Sequence, residues 1–368
     1  MIAWRKCAGW GVAIAAAVGN CGAAAAPGTG AAPDARQGHQ AARIVPGTAP
    51  RLRAQDLGLV INTADPYSVA VGQHYIRKRA LRPQQVLRVE LPLRGELTAE
   101  EFAVLRKRID ARFGPGTQAL ALAWTRPYAV ACNSITGALA LGFDAKLCAS
   151  PCASSRASPY ARSNSSRPFT AHGMRISMLL AGADVAQGKA LIDRGVAADF
   201  TLGLRGAPSA QAVLLDSADE RRNVRARLYP PAQDIAAAGT VVKRSNAEGL
   251  AAQQRVVLAQ AGSPRLDFLA QLDWLPGGLG DHFTSFGGRL DDSDGQSTVL
   301  DWLSAGATAS HGTVSEPCNH VQKFPHPQRL LAVYLQGGTA IEAYWKSVLW
   351  PQQSLFVGEP LAAPYGRR

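Results

Sequence analysis

A histidine and a cysteine near the carboxyl terminus have the side chains best suited to covalent chemistry. His282 and Cys318 each follow a segment whose composition predicts a β-strand. A cysteine attacks as its thiolate, and a nearby base ionises it near neutral pH. If the two strands are neighbours, the side chains meet at one end of the sheet, where Gly287 and Gly288 can offer an amide to an oxyanion. The pattern predicts a Cys-His pair of nucleophile and base.

Two other roles of the same residues remain open. Cys318 can instead form a disulfide, which is the commoner state of a cysteine in an exported protein. Ser285 offers His282 a hydroxyl nucleophile, although no Gly-x-Ser-x-Gly elbow surrounds it. An enzyme built on these residues is therefore predicted to use a Cys-His or a Ser-His pair.

Four polar residues are candidates for ligand binding. Asn62 and Asp65 follow the first predicted strand, and open α/β sheets bind ligands outside the carboxyl ends of their strands. Asp65 has an alternative role as the cap of the next helix. Asp281 and Glu316 lie beside the predicted base and nucleophile. No Gly-x-Gly-x-x-Gly motif is present, so a dinucleotide is not expected.

Histidines and carboxylates together raise the question of a metal site. The candidates are His282, His311, His320, His326, Asp281 and Glu316. Three such ligands would leave an open catalytic position on zinc. Their spacing matches no compact motif such as His-Glu-x-x-His, so we predict neither a metal site nor a cofactor.

Alternating strands and helices are predicted to position these side chains. The predicted strands are residues 57–62, 86–91, 118–123, 213–216, 251–260, 279–285, 306–314 and 355–357. The predicted helices are residues 69–80, 98–113, 184–198, 221–229, 298–304 and 338–349. This alternation implies parallel strands joined by right-handed crossovers. The predicted fold is α/β, with a mainly parallel sheet flanked by helices.

The start of the chain has the pattern of a secretory signal. Arg5 and Lys6 precede an apolar run and then small residues, with a plausible cleavage site after Ala26. The run is shorter than the roughly 20 residues that a transmembrane helix needs. A lipoprotein signal ending at Cys21 is an alternative. We predict a periplasmic or secreted protein with no transmembrane span after signal removal.

The remaining chain is predicted to have three parts. Residues 1–26 are the signal peptide, and residues 27–54 are a flexible lead-in rich in Ala, Gly and Pro. Residues 55–368 are predicted to form a single α/β domain. A segment rich in Cys, Ser and Pro interrupts it at about residues 132–170.

Charge and cysteine content limit the classes of partner. Loss of the signal lowers the net charge from +12 to +10, because it removes two basic residues and no acidic one. No nucleic-acid motif accompanies this excess, so a basic surface facing an anionic envelope is the preferred interpretation. The four cysteines outside the signal suit two disulfides, with three possible connectivities. Cys148 and Cys152 are close enough for a local loop.

An ordered set of short motifs resembles a conserved bacterial family of exported proteins with no assigned activity. The motifs begin at Asn62, Leu191, Asp281, Gly312, Glu342 and Gly358. They read Asn-Thr-x-Asp-Pro-x-Ser, Leu-Ile-Asp-Arg, Asp-His-x-Thr-Ser, Gly-Thr-Val-x-Glu-Pro-Cys, Glu-Ala-Tyr-Trp and Gly-Glu-Pro-Leu. The resemblance covers the chain from about residue 55 to the end.

The last hundred residues more remotely resemble the gingipain-type cysteine peptidases and their caspase-like fold. The similar parts are a glycine-rich strand at 306–314, an Ala-containing helix at 340–346 and a Gly-Glu-Pro segment at 358–360. The resemblance implies a caspase-like sheet. Those enzymes keep His-Gly after a strand, whereas Phe283 follows His282 here. Their nucleophile precedes the closing strand, which would place it near Thr284 and Ser285.

Two functions from different classes follow. The first is a non-catalytic envelope protein that binds a partner through the loops at the carboxyl ends of the strands. The alternative is an extracytoplasmic hydrolase, peptidase-like, acting on a peptide-like substrate. Both require distant segments of the chain to converge at one edge of the sheet.

Overall fold

An eleven-stranded sheet runs through the part of the chain that the computed structural model describes, which is Gly47 and residues 50–367. The predicted signal at 1–26 and most of the predicted lead-in lie outside these residues. Leu52 is buried, and its amide donates a hydrogen bond to the Glu342 carboxylate at 3.2 Å. The described chain therefore joins the core a few residues before position 55.

The strands of the described chain are short, and most are buried. They are β1 Leu57–Asn62, β2 Val86–Val89, β3 Glu96–Leu97, β4 Ala119–Leu122, β5 Ala129–Val130, β6 Asn133–Ser134, β7 Ile176–Leu179, β8 Ala210–Asp216, β9 Gln233–Ile235, β10 Thr240–Asn246, β11 Gln253–Ala261, β12 Leu272–His282, β13 Ala309–Thr313 and β14 Ser354–Gly358. The main sheet has the order β2-β1-β4-β7-β14-β13-β12-β11-β8-β10-β9. A small second sheet contains β3, β5 and β6.

Most neighbours in the main sheet are parallel. Strands β8, β11, β12 and β13 form one parallel run, so their carboxyl ends lie on the same edge. The last strand, β14, runs antiparallel to β13 and separates this run from β7, β4, β1 and β2. At the far edge β9 is antiparallel to β10. The predicted α/β class with a mainly parallel sheet is confirmed.

Helices flank the sheet. They are α1 Pro66–Arg79, α2 Ala99–Arg112, α3 Ile135–Leu141, α4 Lys146–Ala149, α5 Pro168–His172, α6 Val185–Ala198, α7 Val299–Ser304, α8 Pro327–Leu335 and α9 Ala340–Ser347. Successive side chains of a strand point to opposite faces. Leu59 and Ile61 of β1 accordingly pack in the cluster that contains α1, α8 and α9, whereas Val60 packs with α2 and α3. Both faces are covered, which explains the unbroken apolar runs of the buried strands.

Two disulfides hold the Cys-rich segment. Cys132 pairs with Cys148, and Cys152 pairs with Cys318. Of the three connectivities that the sequence left open, the one with a local Cys148–Cys152 bond is therefore not the one formed. The first bond closes a loop within the segment, and the second ties the segment to the loop after β13. The segment is therefore attached covalently to the edge where the parallel strands end.

Several elements differ from the predictions. The predicted helix at 221–229 is a 3-10 helix, Asn223–Leu228. Helix α3 was missed because all seven of its residues are buried, so its sequence has no amphipathic period. Helix α8 and strand β10 also had no assignment. In the described residues, none of the helices is long and apolar enough to cross a membrane.

Candidate functional site

The carboxyl ends of β8, β12 and β13 surround a pocket of about 380 Å³. We call it the rim pocket. Its lining comes from the three loops that follow these strands: Arg221, Arg222, Phe283, Thr284, Ser285, Glu316, Pro317, Cys318 and Asn319. Two of the predicted segments, those after β12 and β13, therefore do converge.

Cys318 lines the rim pocket as half of a disulfide. Its sulfur is bonded to that of Cys152, so it carries no thiol to ionise. The predicted Cys318–His282 pair is not formed in this structure. The alternative role that the sequence left open for Cys318, a disulfide, is the one observed.

His282 is fully buried beneath the pocket, and both of its ring nitrogens are engaged. The Trp302 indole N–H donates to Nδ1 at 2.9 Å, and Nε2 lies 2.9 Å from the Ser297 carbonyl. Because indole only donates, Nδ1 must be the acceptor and Nε2 must carry the hydrogen. Burial, with Arg225 and Arg222 adding to it, lowers the pKa of His282 to about 3. This imidazole is a neutral structural group with no nitrogen free to act as a base.

The glycines predicted to form an oxyanion site serve close packing instead. A Cβ on Gly312 of β13 would lie 2.3 Å from the Gly287 carbonyl carbon, so the loop after β12 rests directly on β13. The Gly288 amide donates to the Thr313 carbonyl at 2.9 Å. That amide is not available to a ligand.

Ser285 sits in the pocket wall on a well-supported backbone. Its amide donates to the Gln296 side-chain oxygen at 3.1 Å, and its carbonyl accepts from the Thr313 hydroxyl at 2.8 Å. The same Gln296 oxygen accepts a hydrogen bond from Thr284. Among the described residues, the Ser285 hydroxyl has no hydrogen-bond partner. It is therefore available to a ligand, but the imidazole predicted to act as its base, that of His282, is committed elsewhere.

Asp281, predicted as a binding residue, forms a buried ion pair. Its carboxylate accepts from Arg225 and, at 2.7 Å, from the Gln260 amide, and both charged residues are almost fully buried. Burial opposes the charge on Arg225, but Asp281 outweighs it and raises the pKa of Arg225. The pair anchors the 3-10 helix to the end of β12. Asp281 is thus a positioning residue beneath the pocket.

Two arginines of the pocket were not among the predicted site residues. Arg222 donates to the Asp219 carboxylate at 2.7 Å and to the Thr284 hydroxyl at 3.3 Å. Arg221 is exposed and forms no ion pair with any described residue. The adjacent arginines a few residues after a buried strand, β8, were the available sequence signal, but the basic excess of the chain was interpreted as a solvated surface.

Glu316, also predicted as a binding residue, lines the rim pocket. One carboxylate oxygen accepts from the Cys318 amide at 2.7 Å, and the Glu316 carbonyl accepts from Gln353 at 3.0 Å. Cys318 and Asn319 both adopt left-handed backbone angles, with φ of 55° and 57°. The carboxylate, the disulfide and Gln353 hold this tight turn in place.

Asn62 and Asp65 lie away from the pocket. Strand β1 is five places from β12 in the sheet, or about 24 Å at the usual spacing. The Asn62 side chain bridges to both backbone groups of Leu91, and Asp65 caps α1 by accepting from Tyr67. These contacts account for both residues as parts of turns.

The other histidines do not assemble with carboxylates. His311 is buried against Phe324 and Phe356, and neither ring nitrogen makes a hydrogen bond of good geometry. His320 contacts the Cys152 carbonyl through Nε2. Within the described residues, no group of three or more His, Cys, Asp or Glu side chains is arranged to hold a metal ion.

The remaining carboxyl-terminal motifs serve the scaffold. Glu342 belongs to the capping box of α9. Glu359 follows β14 at the amino end of β13, opposite the rim pocket. Its buried carboxylate accepts from Arg79 and Tyr75, at 2.6 and 2.8 Å, and so ties β14 to α1.

Comparisons with known proteins give little further guidance. No protein-family model matches the chain, and no curated protein matches it. One similar solved structure is that of the Arg-specific cysteine proteinase gingipain R. The match covers 86% of this chain and 80% of that chain, with 12% identity and a TM-score of 0.41. A likeness at this level says nothing about activity.

Proposed function

We propose that this chain is an exported, non-catalytic binding protein whose binding site is the rim pocket. One observation carries the proposal: the polar pocket at the ends of three parallel strands contains no paired nucleophile and base among the described residues. The sulfur of Cys318 is in a disulfide, and both nitrogens of His282 are engaged. The polar groups that remain are suited to recognition.

The shape of the pocket supports binding. Its volume of about 380 Å³ falls within the range of roughly 300–1,000 Å³ that is usual for ligand sites. Its walls are held by Gln296, Gln353 and the Arg225–Asp281 pair, so little ordering is needed when a ligand enters. The two disulfides support the export part of the proposal, because such bonds persist in oxidising compartments.

A serine hydrolase is the second candidate, and the free hydroxyl of Ser285 favours it. It would need His282 to leave both Trp302 and the Ser297 carbonyl before it could accept a proton. Because this rearrangement is required, the serine hydrolase is the less favoured of the two functions.

Covalent probes and a variant with a filled pocket distinguish the binding protein from the serine hydrolase. We expect a fluorophosphonate and iodoacetamide to leave Ser285 and Cys318 of the oxidised protein unlabelled, and peptide substrates to remain uncleaved. Ser285→Trp should fill the pocket while keeping the urea unfolding midpoint close to that of the wild type. Small-molecule fragments that are seen by NMR to bind the wild type should no longer bind the Ser285→Trp variant. Labelling of Ser285 that disappears in His282→Gln would establish the hydrolase instead.

A further inference from the structure

We infer that the rim pocket recognises an oxyanion, a carboxylate or a phosphate at the end of a small polar ligand. This inference rests on the proposed function, since it names the chemistry that the same pocket would bind. The first observation is charge. The residues that line the pocket include two arginines, Arg221 and Arg222, and one acidic residue, Glu316.

The three charged groups are not equally available. Glu316 directs one oxygen to the Cys318 amide of its own turn. Arg222 is partly neutralised by Asp219, which keeps its guanidinium over Thr284. Arg221 has no ion pair with any residue in the described part of the chain. Among the described residues, the pocket therefore has one arginine without a salt bridge, Arg221, beside one that Asp219 holds in place, and Glu316 is its single acidic residue.

Neutral donors complete the site. Ser285 and Asn319 both line the pocket, and neither side chain has a hydrogen-bond partner among residues 50–367. A guanidinium offers N–H donors in a planar fork that matches the two oxygens of a carboxylate or phosphate. A hydroxyl and an amide can donate to a further oxygen of the same group. Every free donor of the pocket is thus suited to an acceptor-rich, negatively charged ligand.

A buried ion pair sets the position of Arg221 and Arg222. Arg225 follows Arg222 by three residues and is buried against Asp281 at the end of β12. This pair fixes the start of the 3-10 helix relative to Ser285. Arg227 lies further along the same helix, is exposed, and does not line the pocket. It offers a control with the same charge in the same segment.

Paired probes test the inference. Acetyl-glycyl-glycine, its C-terminal amide and inorganic phosphate are titrated into the mature, oxidised protein by NMR. We expect one saturable site for the acid, for phosphate, or for both, with affinity falling as NaCl is raised from about 50 to about 300 mM. Binding of the acid alone would identify a carboxylate ligand, and binding of phosphate alone a phosphate ligand.

Variants localise the site. Arg221→Gln and Ser285→Ala should each weaken binding, by about tenfold or more for the arginine, which contributes charged hydrogen bonds. Arg227→Gln should bind like the wild type. Equal binding of the acid and the amide, an equal loss in Arg227→Gln, or no saturation by about 10 mM of either anion would overturn the inference. Those results would leave pocket binding intact, whereas labelling of Ser285 by the fluorophosphonate would remove the proposed function itself.

Discussion

His282 shows how a side chain suited to catalysis becomes part of the core. The sequence places it correctly at the end of a strand next to that of Cys318. What the sequence does not reveal is the indole of Trp302, twenty residues later, which occupies Nδ1. A short segment and helix α7 bring that indole back against the sheet. The sequence therefore predicts that His282 lies at the end of a strand, whereas its hydrogen-bond partner is decided by tertiary packing.

The burial of His282 predicts a pH-dependent stability. Its pKa is lowered to about 3 in the folded protein, against about 6.5 in the unfolded chain. Between these values the unfolded chain binds a proton that the folded protein does not. The stability contribution is therefore complete above pH 6.5 and decreases as the pH falls towards 3, by about 1.4 kcal/mol per pH unit.

Urea denaturation between pH 7 and pH 4 measures this effect. In His282→Gln the amide can keep both hydrogen bonds, and the slope of unfolding free energy against pH should decrease by about 1.4 kcal/mol per unit. His320→Gln, at a partly exposed histidine, is the control. An unchanged slope in His282→Gln would show that the imidazole is already protonated in the folded state.

The Arg225–Asp281 pair predicts strong coupling between two buried charges. Arg225→Met leaves the Asp281 carboxylate buried without its cation, which should cost about 3–5 kcal/mol of unfolding free energy. Adding Asp281→Leu should recover much of that loss. Urea denaturation of the wild type, both single variants and the double variant completes a double-mutant cycle. Additive losses would mean that the two charges do not depend on each other.

At the scale of elements, the loop after β13 depends on one covalent bond. Cys152 and Cys318 are 166 residues apart, whereas Cys132 and Cys148 are only 16 apart. In the chain-entropy account, closing a longer loop stabilises the fold more. The double serine variant at 152 and 318 should lose about 5 kcal/mol, and that at 132 and 148 about 3 kcal/mol.

The two double variants also differ in their expected effect on the pocket. Only the bond at Cys318 belongs to the lining, so only its removal should weaken anion binding beyond the loss of stability. Thermal unfolding and NMR titration on the same samples separate the two effects. Equal weakening by both variants would mean that the Cys-rich segment acts as a whole rather than through this turn.

Elements that carry a recognisable local signal, such as a capping pattern or an unbroken apolar run, were the ones that the sequence predicted. Helix α2 has the capping box Thr98–Glu101 that its sequence indicates, and β1 is the buried strand that its apolar run predicts. Helix α3 is buried on all sides and so gives no amphipathic signal. The candidate site follows the same rule, since Ser285 and Glu316 were located by strand ends. Arg221 and Arg222 were missed because surface and site arginines look alike in composition.

At the scale of the molecule, the final strand holds the sheet together. Strand β14 lies between β7 and β13, so the β2-β1-β4-β7 group meets the β13 group only through it in the described sheet. Glu359, directly after β14, adds an ion pair to Arg79 of α1. The position of the last strand thus joins the first half of the chain to the second.

A truncated chain tests this role. A protein ending at Gln353 lacks β14 and should show no cooperative unfolding transition by circular dichroism. A synthetic peptide of residues 351–368 should restore the transition when added in excess, because the gap between β7 and β13 is specific for it. Cooperative unfolding of the truncated chain near the wild-type midpoint would show that the two groups close the sheet without β14.

The central position of β14 also affects when the sheet can form during synthesis. A chain emerging from the ribosome exposes its amino-terminal segments first, but here a central strand of the described sheet is made after the sheet's other described strands. Until β14 has been synthesised and released, the β2-β1-β4-β7 group and the β13 group have no strand between them to pair with. The nascent molecule is thereby kept from completing its fold early, which suits the export that we propose, because a translocation channel passes an extended chain.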